Sequence, residues 1–334
     1  MKSLSDRVVA RLQADMQLPD LSGTRYNLVR YVACGGMGSV WLAEDTVLKR
    51  RVALKVLHLA AAADDLDVRL FREARILAGL EHPGIVPVHD AGTLADGRAF
   101  CCMKYVEGQT LAQHIAPLNL PDRLRLLERI AEPLDFAHAR GFIHRDLKPD
   151  NVMIGAFGEV LVMDWGLAKV RLTSPEAGEP EIATAVQPAQ NSLRVTGQGS
   201  VLGTVGYMSP EQARGDIGDI EVDHRTDIFS LGAILTFMLT GSAPGDLPAA
   251  SGSVPRPLRA ICEKAMAADP NARYQSGREM TADITHYLNG EPVSAYPEGL
   301  LERLGRVFAR HLTAVVLVAV YLIMRVLFIL FARR

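Results

Sequence analysis

Cysteine is scarce in this chain: four in 334 residues. Four thiols cannot staple a body of this size, and none shows metal-ligand spacing. Neither a disulfide framework nor a structural zinc site is expected. Cys101 and Cys102 are adjacent and would face opposite sides of a strand, whereas Cys34 and Cys262 stand alone. A reducing, cytosolic setting for the body is the simplest reading. A basic excess is also missing, with 36 Lys plus Arg against 38 Asp plus Glu. That balance excludes a dedicated nucleic-acid binder. The segment from Met1 to Leu21 mixes charged and apolar residues and lacks the unbroken apolar run of a secretory signal. No repeat of fixed period occurs, which excludes a solenoid.

What is present is enough apolar material for a core, 49% hydrophobic against 22% charged, so the chain is not a disordered one. The charge is unevenly spread. Residues 301–334 hold six Arg and one Glu, and the acidic balance lies in the rest. From Tyr26 to about Val56, short β-rich segments surround a glycine cluster. The apolar positions Leu66, Leu70, Ala74 and Leu77 predict a helix over Leu66–Leu80. Strands are predicted near Ile85–Asp90 and Phe100–Val106, ending in the Glu107-Gly108 turn. Beyond that point the texture is helical: Leu124–Ala139, Ile228–Leu239, Leu258–Ala267 and Met280–Leu288. Pro133 inside the first of these predicts a kink or a later start. The stretch Val170–Ser200 is rich in Pro and small polar residues, which marks a functional or disordered loop. A β-rich first part and a helical second part imply two lobes with a cleft between them.

The final apolar stretch, Leu312–Phe331, contains one charge, Arg325. At helical rise it spans about 30 Å, the hydrocarbon thickness of a bilayer, and a transmembrane helix is expected. Arg325 lies close enough to one end to snorkel toward the interface. Arg303, Arg306 and Arg310 precede the stretch, consistent with a cytoplasmic body under the positive-inside rule.

His144-Arg145-Asp146-Leu147-Lys148-Pro149-Asp150-Asn151 resembles the catalytic loop of protein kinases, and the rest of that signature set follows in order. With its Gly-Gly-Met-Gly cluster, the chain from Tyr26 to Leu288 is most similar to eukaryotic-like bacterial Ser/Thr kinases. The resemblance implies an α+β, bilobal protein-kinase-like fold, with a small β-rich N-lobe and a larger α-helical C-lobe. The divisions read as an extension at 1–25, an N-lobe at 26–106 and a C-lobe at 107–290 with a long activation segment at 164–211. A basic linker at 291–311 and a transmembrane helix at 312–331 complete the chain.

Phosphoryl transfer asks a protein for positioning and charge stabilisation. By resemblance, Asp146 is the base that accepts the proton of the substrate hydroxyl. Lys148 neutralises the γ-phosphate and points to Ser/Thr substrates. Asn151 and Asp164 are the oxygen ligands for Mg²⁺ (or Mn²⁺), a hard cation shared with phosphate. Lys55 holds the α- and β-phosphates of ATP and pairs with Glu73. Thr204 hydrogen-bonds Asp146 and Lys148.

The nucleotide pocket comprises Val32, Gly35, Gly36, Gly38, Val40 and Ala53, with Met103 as gatekeeper. Tyr105 and Val106 lie at the hinge, and Met153 forms the floor. Ala33 replaces the first glycine of the loop, which weakens loop mobility without removing the site. Trp165 stands where the family has Phe and is expected to stack between His144 and Leu77. Ser209-Pro210-Glu211 replaces Ala-Pro-Glu, with Glu211 pairing Arg273. Asp227 is expected to anchor the catalytic-loop backbone, and His138 and His144 to be packed structural histidines.

Expected partners are ATP, proteins carrying Ser or Thr, the membrane through 312–331, and a second copy for autophosphorylation in trans. The rival from another class is a membrane-anchored pseudokinase scaffold. Retention of Lys55, Asp146, Asn151 and Asp164 speaks against it. Arg145 beside Asp146 is the residue that, in the family, pairs a phosphate on the activation segment. Autophosphorylation is therefore expected at Thr196 or Ser200 first, then Ser192 and Thr184. Mass spectrometry after incubation with Mg-ATP is expected to find phosphate between Val170 and Thr204. An unmodified segment contradicts it.

Overall fold

The structure is a computed structural model. It describes residues 18–34, 38–57, 70–71, 74–75, 77–165, 169–170, 206–214, 222–244, 254–299, 302–303 and 312–332. Within the last helix, side chains are described at 316–325, 328 and 329.

The first part forms one antiparallel sheet from β1 (Tyr26–Cys34), β2 (Gly38–Asp45), β3 (Arg50–Leu57), β4 (Val88–Thr93) and β5 (Ala99–Lys104). Its order is β1-β2-β3-β5-β4. Alternation along the central strand sets its two faces. Val52, Leu54 and Val56 join Tyr26, Trp41 and Phe100 in one cluster, and Leu57 joins Leu70, Ala74 and Ala99 in another. Cys102 lies in the first cluster and Cys101 in the second, the opposite facing expected of neighbouring strand residues. Lys55 lies on the Leu57 side, toward the helical residues at 70–71, 74–75 and 77–79. The start of that helix predicted at Leu66 lies outside the described residues.

The second part is built on α2 (Leu120–Ala139), which packs against α4 (Arg225–Thr240) and α6 (Gly277–Leu288), while α4 packs on α5 (Arg256–Ala265). A short α1 (Leu111–His114) precedes α2. The sequence predicted a kink or a late start for α2, and the late start does not occur. The helix starts earlier, at Leu120, because Asn119 caps it by accepting from Asp122 N at 2.9 Å and Pro121 suits the first turn. Pro133 removes one internal hydrogen bond. Its ring is buried against Gly84, where an added Cβ would come within 3.0 Å of the ring. The helix nonetheless runs unbroken to Ala139.

Strands in this part escaped the periodicity argument. They are β6 (Gly108–Thr110), β7 (Phe142–Ile143), β8 (Val152–Gly155), β9 (Val160–Val162) and β10 (Lys169–Val170). They make two small sheets, β6-β8-β9 and β10-β7. Val162 also bridges to Ile85, so β9 is tied to the chain entering β4.

α3 (Pro210–Ala213) is held by the buried pair of Glu211 and Arg273, at 2.6 and 2.7 Å. Burial alone would raise the Glu211 carboxyl, but hydrogen bonds and charge from Arg273 bring it below its usual value. Arg273 also donates to the carbonyls of Ala267 and Arg225. After α6, Asp283 accepts from Tyr274 Oη, Ser294 N and Oγ, and Ala295 N at 2.7 to 3.1 Å, which ties 293–296 to the body.

The last helix, α7, runs over Leu312–Ala332, 21 residues. Its described side chains at 316–325 are all exposed, nearly three turns with every face open. Among the described residues, no helix is long and apolar enough to cross a membrane.

Candidate active site

Lys55 sits in the middle of β3, facing Val40 on β2 and Cys101 on β5, while Ala53 faces Met103. Gly38 opens β2 directly under the Val56 carbonyl, and an added Cβ there would run into that oxygen. Only glycine fits. Ala53 is buried and Val40 partly so, while Val32 on β1 is exposed. Met103 lies one residue before the end of β5, and Tyr105 and Val106 follow the strand. The Tyr105 hydroxyl accepts from Arg30 Nη2 at 2.9 Å, and Lys104 N donates to Pro87 O at 3.0 Å. Gly35, Gly36, Glu73 and Thr204 lie outside the described residues.

Across from this sheet, the loop between β7 and β8 is pinned from behind. Asp227, in the first turn of α4, is fully buried. Its Oδ2 accepts from His144 N at 2.8 Å and lies 2.7 Å from His138 Nε2, and its Oδ1 accepts from Arg145 N at 2.9 Å. Burial would raise this carboxyl strongly. The hydrogen bond and charge of His138, with His144 and the Arg145 amide, hold it below the usual carboxylate range instead. Asp227 thus anchors the loop backbone as the sequence led us to expect. Both histidines are packed groups, His144 being buried with its Nε2 2.9 Å from Met163 O.

Immediately after this anchor comes the polar cluster. Lys148 Nζ lies 2.9 Å from Asp146 Oδ2 and 3.2 Å from Oδ1. Asn151, in a 3₁₀ turn over Pro149–Asn151, donates through Nδ2 to Asp146 O at 2.7 Å and to Oδ2 at 3.2 Å. The carboxylate is oriented by two neighbours while about a quarter of its side chain stays open. Asn151 spends its donor end on the loop, and its carbonyl oxygen is the end that remains for a cation.

β8 carries Met153, partly buried, and β9 leads out to Asp164. Lys55 Nζ reaches Asp164 Oδ1 at 2.7 Å, joining β3 to the end of β9 across 109 residues of sequence. Burial acts to raise the Asp164 carboxyl, but the Lys55 ammonium, with His144 and Lys148, holds it below its usual value. An ionised oxygen donor beside a lysine, with the Asn151 carbonyl available, is a donor set that fits Mg²⁺ shared with phosphate. Asp164 has φ +62° and Arg145 φ +68°, both in the left-handed region that L residues rarely occupy.

Trp165 is wholly buried, its ring 4.8 Å from that of His144 and tilted to it by 54° rather than stacked, and it lies in the same apolar cluster as Leu77. It also does what a phenylalanine cannot. Its indole Nε1 donates to Val162 O at 3.3 Å.

One participant was missed in the sequence. Gln212 Nε2 donates to the Arg145 carbonyl at 2.7 Å, while its Oε1 accepts from Ser209 N and Oγ at 3.2 Å. Ser followed three residues later by Gln is a capping-box signature, which would have located the helix start but not the contact with Arg145. Ser209 Oγ also pairs with Thr226 Oγ1 on α4.

Against known proteins, the model of the protein kinase domain family matches residues 26–288. Serine/threonine-protein kinase PknB of Mycobacterium tuberculosis is 37% identical over 305 residues, covering 84% of this chain and 45% of the relative. Serine/threonine-protein kinase PrkC of Bacillus subtilis is 37% identical over 282 residues, covering 78% and 40%. The chain spans less than half the length of these curated relatives. Among solved structures, the Mycobacterium tuberculosis PknI kinase domain is similar at 30% identity with a TM-score of 0.58, covering 79% of this chain and 96% of that one.

Proposed function

This chain belongs to the protein kinase domain family, and on that footing we propose that it transfers the γ-phosphoryl group of ATP to Ser or Thr hydroxyls of proteins. The observation that carries the reading is the meeting of Lys55 and Asp164 at 2.7 Å, on the same side as an Asp146 carboxylate steered by Lys148 and Asn151. The names of the relatives and the presence of Lys148 favour Ser/Thr substrates.

Asp146 is the group placed to receive the substrate hydroxyl and to take its proton as the oxygen attacks. Its open carboxylate, oriented by Lys148 and Asn151, suits a base whose work is chiefly to orient the nucleophile. Lys148, which rests on that carboxylate in the structure, supplies positive charge for the γ-phosphoryl oxygens. Lys55 offers the same to the α- and β-phosphates. Val32, Val40, Ala53 and Met153 supply apolar cover for an adenine, beside Met103 and the backbone of Tyr105 and Val106. Gly35, Gly36 and Gly38 belong to the phosphate loop, Glu73 to the partner of Lys55, and Thr204 to the neighbours of Asp146. Asn151 and Asp164 would hold Mg²⁺, which when bound neutralises charge developing on the transferred group. Autophosphorylation, in trans between two copies, and a role in bacterial signalling belong to the same proposal.

We also read the whole apolar stretch Leu312–Phe331, of which the described side chains of α7 are only a part, as a membrane anchor with the kinase body on the cytoplasmic side. The support is its composition and its exposure on every face. A helix that is apolar all round is at home in a protein core or a bilayer, and no face of 316–325 is covered by this chain. Arg303, Arg306 and Arg310 on the body side agree.

Two measurements test the proposal. With γ-labelled ATP and a generic phosphoacceptor protein, Asp146→Asn is expected to lower kcat by about 10²- to 10⁴-fold. Equal incorporation by wild type and variant would remove the enzyme reading and leave the scaffold. For the anchor, the full chain is expected to float with phospholipid vesicles after an alkaline wash, and a Leu317→Arg, Leu322→Arg double variant to stay behind. Flotation unaffected by both arginines contradicts a spanning helix.

A further inference from the structure

Between α3 and the catalytic loop lies a contact whose chemistry is more particular than capping a helix requires. Gln212 is the third residue of α3, and its Oε1 accepts from the Ser209 amide and hydroxyl. That half of the side chain is a capping box, and a glutamate would serve it equally well. Only the other half needs an amide. Nε2 donates to the carbonyl of Arg145 at 2.7 Å, and a carboxylate has no proton to give there.

The carbonyl it holds belongs to the peptide joining Arg145 to Asp146. The N–H of that same peptide, on Asp146, points to His144 Nδ1 at 3.3 Å. One residue earlier, the Arg145 N–H is fixed by Asp227. Arg145 has φ +68°, a conformation that L residues rarely adopt and that persists only where its surroundings over-determine it. Asp227 and Gln212 are part of those surroundings, one on each side of Arg145. Together they set the rotation of the peptide from which the Asp146 carboxylate projects.

We propose that Gln212 is a positioning residue for Asp146, linking the docked end of the activation segment to the catalytic base through the Arg145 carbonyl. The proposal rests on the reading of Asp146 as the base. Ser209, the other partner of Gln212, is bonded to Thr226 beside Asp227 on α4. The Ser209–Gln212 turn and the loop anchor therefore share one rigid element. When the turn is docked, the base is aimed. When it is not, the left-handed peptide loses the hold on its carbonyl.

The test is steady-state kinetics of the full chain with a generic phosphoacceptor protein, beside ATP affinity and thermal melting. Gln212→Glu keeps the cap and loses the donor. It is expected to lower kcat by about 10- to 100-fold, with KM for ATP within about twofold and melting close to wild type. Gln212→Met, which has neither charge nor donor, must show the same split if the glutamate variant fails to fold. Wild-type kcat in the Gln212 variants, or a fall in kcat matched by lost ATP affinity and lost melting, overturns the inference while the kinase reading stands. Absence of phosphoryl transfer by the wild-type chain overturns both.

Discussion

The buried carboxylate of Asp227 is the interaction on which the site depends. It lies in the first turn of α4, a helix buried along most of its length and packed on α2 and α5. A lone carboxylate in that place would cost several kcal/mol, so it must be met by donors. Three are supplied: the His138 ring and the backbone amides of His144 and Arg145. The demand of the buried charge is thus what fixes the catalytic loop. Because its folded value is held low, its contribution is present above the ordinary carboxylate range and is lost as acid protonates the group.

From that anchor the geometry follows outward. Arg145 is forced into the left-handed region, and Asp146 leaves it toward the cleft, where Lys148 and Asn151 steer its oxygens. β8 and β9, held in a small sheet with β6, return the chain to Asp164, a second left-handed residue facing Lys55. Below it Trp165 is tied by ring contact to His144 and by its indole N–H to Val162. One unfavourable backbone conformation stands at Asp164 and another at Arg145, next to Asp146. The surrounding core, a single apolar cluster from Leu77 to Val293, is what holds them there.

Much of this was legible in the sequence, for physical reasons that differ by residue. Lys55, Asp146, Asn151 and Asp164 stand in motifs that resemble the kinase signature set, and their roles followed from that resemblance. The Glu211–Arg273 pair and the Asp227 anchor followed from the resemblance, and the split of Cys101 and Cys102 from strand alternation alone. The start of α4 was placed a turn late because its opening residues are polar. Thr226 and Asp227 are fully buried all the same, by hydrogen bonding rather than by apolarity. The strands β6 to β10 have two to four residues each, too few to show a period. Pro133 read as a kink in α2 or a later start, and the cap at Asn119 starts the helix at Leu120 instead. The link from Gln212 to Arg145 spans 67 residues, and no local pattern announces it.

The most direct measurement of the central claim is amide hydrogen exchange at His144 and Arg145 in the wild-type chain. If Asp227 holds the loop from within the core, these two amides exchange only through opening of the C-lobe, as slowly as the amides of α4. Exchange at the rate of an exposed loop, with α4 still protected, would show that the loop moves independently of the carboxylate and would contradict the account.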